Sequence, residues 1–141
     1  MNPRRLTPAL HIGAQPALAE IAELAARGFH GIISNRPDGE EEGQPGAAAI
    51  EEAARAAGLA FAHIPVAPGK MTDEHVRAFA EVLATMRGPV FAFCKTGTRS
   101  TFLWALSQAA RLDPKALHAA AAEAGIDLAP LTKKLEARWT G

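Results

Sequence analysis

The feature that most constrains this chain is an apolar run that ends in its only cysteine and leads directly into a helix. Residues 90–94 spell Val-Phe-Ala-Phe-Cys, and an uninterrupted apolar run is typical of a buried parallel strand. After Cys94, four residues that include Gly97 lead to Arg99, and we expect a helix to begin at Ser100. A strand, a short loop and a helix in this order can place backbone N–H groups around the last side chain of the strand.

The residue types in this segment suit the binding of an oxyanion beside a reactive sulfur. A helix N-terminus and a neighbouring cation both favour the thiolate, which is the nucleophilic form of cysteine. The planar fork of Arg99 can hold phosphate or sulfate oxygens, and Gly97 lets the loop curve so that successive N–H groups converge. The hydroxyl groups of Thr98 and Ser100 can hydrogen-bond the sulfur. The alternative is that Cys94 is a buried structural residue, since free cysteines are often buried. The presence of Gly97, Arg99 and Ser100 close to Cys94 favours the catalytic interpretation.

Length and composition predict a single domain. The 141 residues suffice for one core, so we expect residues 1–141 to fold as a unit. The 15 basic and 15 acidic residues balance, which argues against binding to nucleic acid or to an anionic membrane surface.

One cysteine excludes an intramolecular disulfide, and the five histidines lack metal-ligand spacing, so we expect no metal and no cofactor. With no signal peptide and no apolar run of membrane-spanning length, we expect a cytoplasmic protein.

Hydrophobic periodicity predicts alternating strands and helices along most of the chain. Gly and Pro residues separate the segments, and Thr72, Asp113 and Asp127 are expected helix N-caps. Such alternation is typical of α/β proteins, so we predict a parallel central sheet of about four strands flanked by helices. The predicted strands are residues 6–12, 29–34, 59–66 and 90–93, and the predicted helices are residues 16–27, 47–57, 73–87, 100–110, 114–124 and 128–139.

We expect loops at one edge of this sheet to form the site, because right-handed crossovers place the loops after parallel strands at the same edge. These loops are residues 35–46, residues 67–71 and the loop after Cys94. In the first of them, Asp38 belongs to an Arg-Pro-Asp-Gly turn and is either a turn residue or a proton donor that enters the site. The three glutamates at 40–42 are expected to form a solvated charged run, from which one carboxylate could pair with Arg36 or Arg99.

Three segments of the chain carry a resemblance to a known family. They are His-Ile-Gly-Ala-Gln-Pro at residues 11–16, Ile-Ile-Ser-Asn-Arg-Pro-Asp-Gly-Glu-Glu at residues 32–41, and Phe-Cys-Lys-Thr-Gly-Thr-Arg-Ser at residues 93–100. On these residues the chain resembles the phosphatase-like domain family of beta-lactamase-hydrolase-like proteins. This family is a branch of the protein tyrosine and dual-specificity phosphatase fold.

The resemblance implies a function as well as a fold. It implies that Cys94 is the nucleophile, that Arg99 clamps the oxyanion, and that Ser100 is the hydroxyl residue that follows the arginine in the phosphatase signature. It also implies a cradle formed by the loop backbone, that is, by Lys95, Thr96, Gly97, Thr98 and Arg99. We therefore expect a cysteine-dependent, phosphatase-like hydrolase that acts on a small oxyanionic substrate such as a phosphate ester. Other family members can be fused to a metallo-hydrolase domain, so the resemblance also allows a separate metallo-hydrolase as a partner.

Two departures from the phosphatase pattern keep other functions open. The phosphatase signature has five residues between cysteine and arginine, whereas four lie between Cys94 and Arg99, a length similar to that of the rhodanese sulfurtransferases. Phosphatases of this fold take a general-acid aspartate from the loop after the third strand, but residues 65–70 hold no carboxylate, and Asp73 would need loop closure to reach the site. The alternatives are a sulfurtransferase that carries a persulfide on Cys94, and a non-catalytic anion-binding module.

Overall fold

A five-stranded sheet forms the centre of the computed structural model, which describes all 141 residues. The strands are β1 (Arg4–Thr7), β2 (Leu10–Ala14), β3 (Gly31–Ser34), β4 (Ala60–His63) and β5 (Val90–Cys94). They pair in the order β1-β2-β5-β3-β4, and every neighbouring pair is parallel except β1 with β2. The predicted α/β fold with about four parallel strands is confirmed, and an antiparallel strand is added at one edge.

Six helices connect and cover the strands in the regions that the sequence patterns indicate. They are α1 (Ile21–Ala26), α2 (Ala47–Ala56), α3 (Asp73–Thr85), α4 (Thr98–Gln108), α5 (Pro114–Glu123) and α6 (Thr132–Arg138), and short 3-10 turns precede α1 and α6. The side chains of Thr72 and Asp113 accept hydrogen bonds from backbone N–H groups at the starts of α3 and α5, as predicted for N-caps. None of the helices has the length and apolar composition that crossing a bilayer would require.

Both faces of the sheet are covered, so successive residues of one strand enter different cores. In β5, Val90 and Ala92 pack in the larger cluster together with residues of α3, α4, α5 and α6. Phe91 and Phe93 point the other way, into a smaller cluster with residues of α1 and α2, and their ring centroids are 6.0 Å apart. Burial on both faces explains why β5 is an uninterrupted apolar run. It also fixes the position of Cys94 at the end of the central strand.

The clearest differences from the sequence prediction lie at two turns. Residues 6–12 are not one strand, because the Thr7 hydroxyl accepts hydrogen bonds from the N–H groups of Ala9 and Leu10 and reverses the chain. The α4 helix begins at Thr98 rather than at Ser100. The reason is that Gly97 adopts a left-handed conformation, with φ +98°, and takes the N-cap position.

Replacing Leu103, a fully buried residue of α4, tests the larger core. We expect Leu103→Ala to lower the free energy of unfolding by about 2–5 kcal/mol, because it removes packed methyl groups and leaves a cavity. Leu18→Ala is the matched control, since Leu18 is 43% exposed, and its effect should stay within about 0.5 kcal/mol. Urea unfolding followed by circular dichroism measures both variants, and equal losses would contradict the assigned core.

Candidate active site

The candidate site lies where three loops meet at the carboxyl ends of the parallel strands, as the topology predicts. Cys94 ends β5 and is only 1% exposed. In the loop after β4, the Val66 carbonyl accepts a hydrogen bond from Arg99 Nη1 at 2.8 Å. In the loop after β3, the Glu40 carboxylate accepts hydrogen bonds from Nη1 and Nη2 of the same guanidinium, at 2.7 and 2.9 Å. Arg99 therefore ties the other two loops to the one that follows Cys94.

The loop after Cys94 carries a group of backbone donors around the sulfur. Its Gly97 N–H donates a hydrogen bond to Cys94 Sγ at 3.1 Å. At Gly97 the φ angle is +98°, and an added Cβ would lie 3.1 Å from Ile12 Cδ1, so both the backbone and the available space require glycine. Free N–H groups at a helix N-terminus are suited to binding an anion. Five N–H groups have no hydrogen-bond partner within the protein, namely those of Lys95, Thr96, Thr98, Arg99 and Ser100.

Asn35, at the end of β3, holds the first turn of α4 in place through buried hydrogen bonds. The residue is fully buried, and its backbone N–H donates to the Phe93 carbonyl at 2.8 Å. Its side-chain N–H donates to the Ile64 carbonyl at 3.0 Å, and its side-chain oxygen accepts a hydrogen bond from the Ser100 hydroxyl at 2.7 Å. Because both polar atoms of this buried side chain are paired, Asn35 joins three loops without an unsatisfied group.

The Glu40 carboxylate lies between two arginines. Its Oε1 accepts a hydrogen bond from Arg36 Nε at 3.0 Å in addition to the contacts with Arg99, and Arg36 is only 3% exposed. Hydrogen bonds from Arg99, followed in size by those from Arg36, hold the pKa of Glu40 below its usual value of 4.5, against the opposing effect of burial. The same carboxylate raises the pKa of Arg99, and the Cys94 side chain lies close enough to add to that rise.

Cationic side chains and carboxylates form a network of ion pairs beside the cysteine. The ion pairs of the site contain three cations, Arg36, Lys95 and Arg99, and two carboxylates, Glu40 and Glu41. Three of the five N–H groups of Arg99 are used in the contacts above, which leaves two without a partner. An oxyanion that enters this site would therefore meet unused N–H donors on a cationic side chain.

The predicted hydroxyl contacts with the sulfur are absent. Thr98 Oγ1 lies 3.1 Å from Thr96 Oγ1, and the Ser100 hydroxyl is directed to Asn35. These residues therefore offer their backbone N–H groups at the site rather than their side chains. The Lys95 side chain is exposed and its Nζ lies 3.6 Å from a Glu41 carboxylate oxygen, so it too offers a backbone donor to the loop.

Neither aspartate that sequence considerations raised as a proton donor is in contact with Cys94. Asp38 accepts a hydrogen bond from the Ala47 N–H at 2.8 Å, at the first residue of α2, which matches the alternative of a turn residue. Asp73 is the first residue of α3, its side chain is 78% exposed, and it pairs with Arg138 at 2.8 Å. The contacts of the site thus place no carboxylic acid next to the sulfur.

The possibility that one of the glutamates at 40–42 pairs with Arg36 or Arg99 is confirmed, since Glu40 pairs with both, whereas the sequence patterns gave no role to Asn35. Glu40 was one of three equivalent glutamates, although its spacing of four residues from Arg36 was a usable signal of pairing. Asn35 follows directly after the buried strand β3, at the sheet edge where the site was expected. A polar residue at such a position indicates a loop that is fixed by side-chain hydrogen bonds.

The fold and the site together define a class of protein. A candidate phosphatase from Neisseria meningitidis Z2491, known from a crystal structure, superposes with a TM-score of 0.86 at 33% identity, over 96% of each chain. The structure of Tk-PTP in its active form superposes with a TM-score of 0.68 over 96% of this chain and 93% of that one, and at 18% identity this likeness shows the fold alone. The class is therefore the tyrosine and dual-specificity phosphatase-like α/β fold.

The particular family follows from the sequence match. The family model described as the phosphatase-like domain of beta-lactamase hydrolase-like protein matches residues 2–111, and the chain belongs to this family. A beta-lactamase hydrolase-like protein of Agrobacterium fabrum C58 is 41% identical over 138 residues, which cover 96% of this chain and 32% of that protein. One from Xylella fastidiosa Temecula1 is 46% identical over 99 residues, which cover 70% of this chain and 23% of that protein. The chain spans about a third or less of the length of these curated relatives.

Substituting Glu40 tests the ion pairs that hold Arg99. The folded-state pKa of Glu40 is lowered, so its contribution to stability is complete above the unfolded pKa and is lost as the pH falls through the folded pKa. We expect Glu40→Gln to reduce the free energy of unfolding by about 1–3 kcal/mol at neutral pH, since charged hydrogen bonds are lost. The difference from the wild type should shrink as the pH falls below about 4.

Glu51→Gln provides the matched control for this measurement. Glu51 pairs with Arg55 on the exposed side of α2, where such a pair is worth about 0.3–0.5 kcal/mol. Urea unfolding at a series of pH values compares the two variants. A Glu40→Gln loss that is no larger than that of Glu51→Gln, or that is the same at acidic and neutral pH, would contradict the assigned pairing.

Proposed function

We propose that this chain is a cysteine-dependent phosphatase-like hydrolase whose nucleophile is the thiolate of Cys94. The observation that supports this most is the position of Sγ, which accepts the Gly97 N–H at 3.1 Å in a loop with five further N–H groups that have no partner. The neighbouring Arg99 guanidinium adds a permanent charge and two unused N–H groups. The phosphatase-like family and fold give this arrangement its chemical context.

In the proposed reaction, Cys94 Sγ attacks the phosphorus of a phosphate ester in line with the leaving oxygen. The bond between sulfur and phosphorus forms while the bond between phosphorus and the ester oxygen breaks, and the leaving group departs with that electron pair and takes a proton from solvent water. The loop N–H groups and Arg99 bind the remaining phosphate oxygens, and they favour the transition state because their dipoles are already oriented. Water then attacks the phosphocysteine, which releases phosphate and restores the thiolate.

Glu40 and Ser100 have positioning roles in this proposal. The two contacts from Glu40 restrict the rotation of the Arg99 side chain, so that its remaining N–H groups face the oxyanion without a further loss of side-chain entropy. Ser100 fixes the start of α4 through its hydrogen bond to Asn35. Asp38 stays a predicted proton donor only if the loop that carries it moves away from the Ala47 N–H.

The site contacts place no acid beside the sulfur, so an ester with a good leaving group is the appropriate assay substrate. We expect Cys94→Ser to abolish the hydrolysis of para-nitrophenyl phosphate, because an alcohol is a far weaker nucleophile than a thiolate. We expect Arg99→Lys to lower kcat/KM by about 10²–10³-fold, since an ammonium group cannot reproduce the planar fork. Steady-state kinetics on variants with unchanged circular dichroism measure both effects.

Arg55→Lys is the control for the arginine substitution. Arg55 lies on the exposed surface of α2 and makes an ion pair with Glu51 only, so this variant should keep wild-type kinetics. Hydrolysis that persists in Cys94→Ser at the wild-type rate would contradict a cysteine nucleophile. An Arg99→Lys variant as active as Arg55→Lys would contradict the oxyanion role of the guanidinium.

The second candidate function is sulfur transfer, and one observation favours it: four residues, rather than five, separate Cys94 from Arg99. The thiolate would attack the outer sulfur of thiosulfate, so that a new S–S bond forms on Cys94 and sulfite leaves with the electron pair of the broken bond. This step needs no proton donor, which agrees with the positions of Asp38 and Asp73. The persulfide would then be passed to an acceptor thiol.

Intact-mass measurement after incubation with thiosulfate distinguishes the two reactions. A sulfurtransferase should gain the mass of one sulfur atom, and the gain should disappear in Cys94→Ser and on treatment with a reducing thiol. A hydrolase should show no such gain while it turns over the aryl phosphate. Absence of both the adduct and turnover, with sulfate still bound, would leave the third alternative, a non-catalytic anion-binding module.

A further inference from the structure

We propose that a cleft beside Arg99 binds the organic part of the substrate, and that this part is an apolar chain that ends in a second anionic group. The inference rests on the proposed function, because it takes the oxyanion to lie at Cys94. The cleft has a volume of about 370 Å³ and lies between the loop after β4, the start of α3, one face of α4 and the segment that contains α6. This volume is at the lower end of the range that small-molecule sites occupy.

The cleft is adjacent to the oxyanion site. Arg99 and Pro68 line it, and the same two residues line a smaller depression that also contains Glu40 and Lys95. Thr98, a member of the loop after Cys94, lines the cleft as well. Arg99 therefore borders both the oxyanion site and the cleft, so a molecule whose oxyanion lies against this guanidinium can place its organic part in the cleft.

The interior of the cleft is apolar. Its lining side chains come from the loop after β4, from α3, from α4 and from the 3-10 turn before α6, and they leave hydrocarbon surface exposed to the cleft, which favours a ligand with an apolar body. Two of them, Met71 and Phe102, are only half buried by the protein itself. The apolar lining includes Met71, Val76, Phe102, Leu106 and Leu131.

The rim of the cleft carries positive charge from α6. Lys134 and Arg138 line the cleft together with Asp73 of α3. Arg138 is paired with Asp73 at 2.8 Å, whereas Lys134 has no carboxylate within 4.0 Å. The exposed ammonium of Lys134 can therefore receive an anionic group of a chain bound in the cleft.

These features select a substrate class. A ligand with an oxyanion at one end, an apolar body and a carboxylate at the other end complements Arg99, the cleft interior and Lys134 in turn. A strongly polar body, such as that of a sugar phosphate, would leave its hydroxyl groups without partners among the apolar side chains.

Titration calorimetry with three non-hydrolysable phosphonates tests the inference on the unmodified protein. The probes are methylphosphonate, octylphosphonate and an octylphosphonate that carries a terminal carboxylate. We expect octylphosphonate to bind at least about tenfold more tightly than methylphosphonate, because its chain leaves water for an apolar cleft. The terminal carboxylate should add about a two- to fivefold gain, the size expected for an exposed ion pair.

Pairs of variants test whether the gains in affinity from the octyl chain and from the terminal carboxylate arise in the cleft. Met71→Ala should reduce the ratio of octyl to methyl affinity about threefold or more, whereas Leu18→Ala, which removes an exposed apolar side chain outside the cleft, should not change it. Lys134→Glu should abolish the gain from the terminal carboxylate. Lys133→Glu introduces the same charge at the neighbouring residue of α6, which does not line the cleft, and should retain most of that gain.

The results distinguish a failure of the cleft inference from a failure of the proposed oxyanion site. If methylphosphonate binds and octylphosphonate binds no better, the cleft inference is overturned while the proposed function stands. The same conclusion follows if Met71→Ala behaves like Leu18→Ala, or Lys134→Glu like Lys133→Glu. If none of the phosphonates binds, the oxyanion site itself is contradicted, and the inference is overturned together with the proposed function.

Discussion

The hydrogen bond from the Gly97 N–H to Cys94 Sγ is the interaction on which the site depends. It exists because Gly97 adopts a positive φ that other residues rarely adopt, and because α4 starts at the next residue. The central strand β5 brings the sulfur to this point, since burial on both of its faces fixes where the strand ends. The local backbone geometry thus converts a buried thiol into one that is surrounded by anion-binding donors.

Contacts between residues far apart in the sequence hold the loop after Cys94 against the neighbouring loops at this edge of the sheet. Asn35 connects the loop after β3 to the first turn of α4, and Glu40 connects the same loop to Arg99. Both contacts are largely removed from solvent, so a change in one loop would leave a polar group of another without a partner. The fold itself therefore holds the loop after Cys94 in its observed conformation.

Sequence patterns predicted much of this fold because the physical signals were local. Apolar runs, helix caps and glycine stops located the parallel strands and six helices, and the sequence around Cys94 indicated the family. The prediction of one strand over residues 6–12 was wrong, because these residues have the pattern of a strand but contain a turn. Hydrogen bonds to the Thr7 side chain stabilise that turn. In the site, the sequence indicated a pairing of one glutamate with Arg36 or Arg99, but it did not identify that glutamate as Glu40 or predict the contact of Ser100 with Asn35. The Glu40–Arg99 and Ser100–Asn35 contacts join residues 59 and 65 positions apart, so no local pattern reports them.

The central claim is that an oxyanion is bound in the loop after Cys94 and reacts there with the sulfur. A crystal structure of the protein with vanadate tests it most directly, because vanadate mimics the geometry of phosphoryl transfer. The account predicts vanadium bonded to Cys94 Sγ, with its oxygens within hydrogen-bond distance of the loop N–H groups and of Arg99. Vanadate bound elsewhere, with Cys94 Sγ still hydrogen-bonded only to Gly97, would contradict the account.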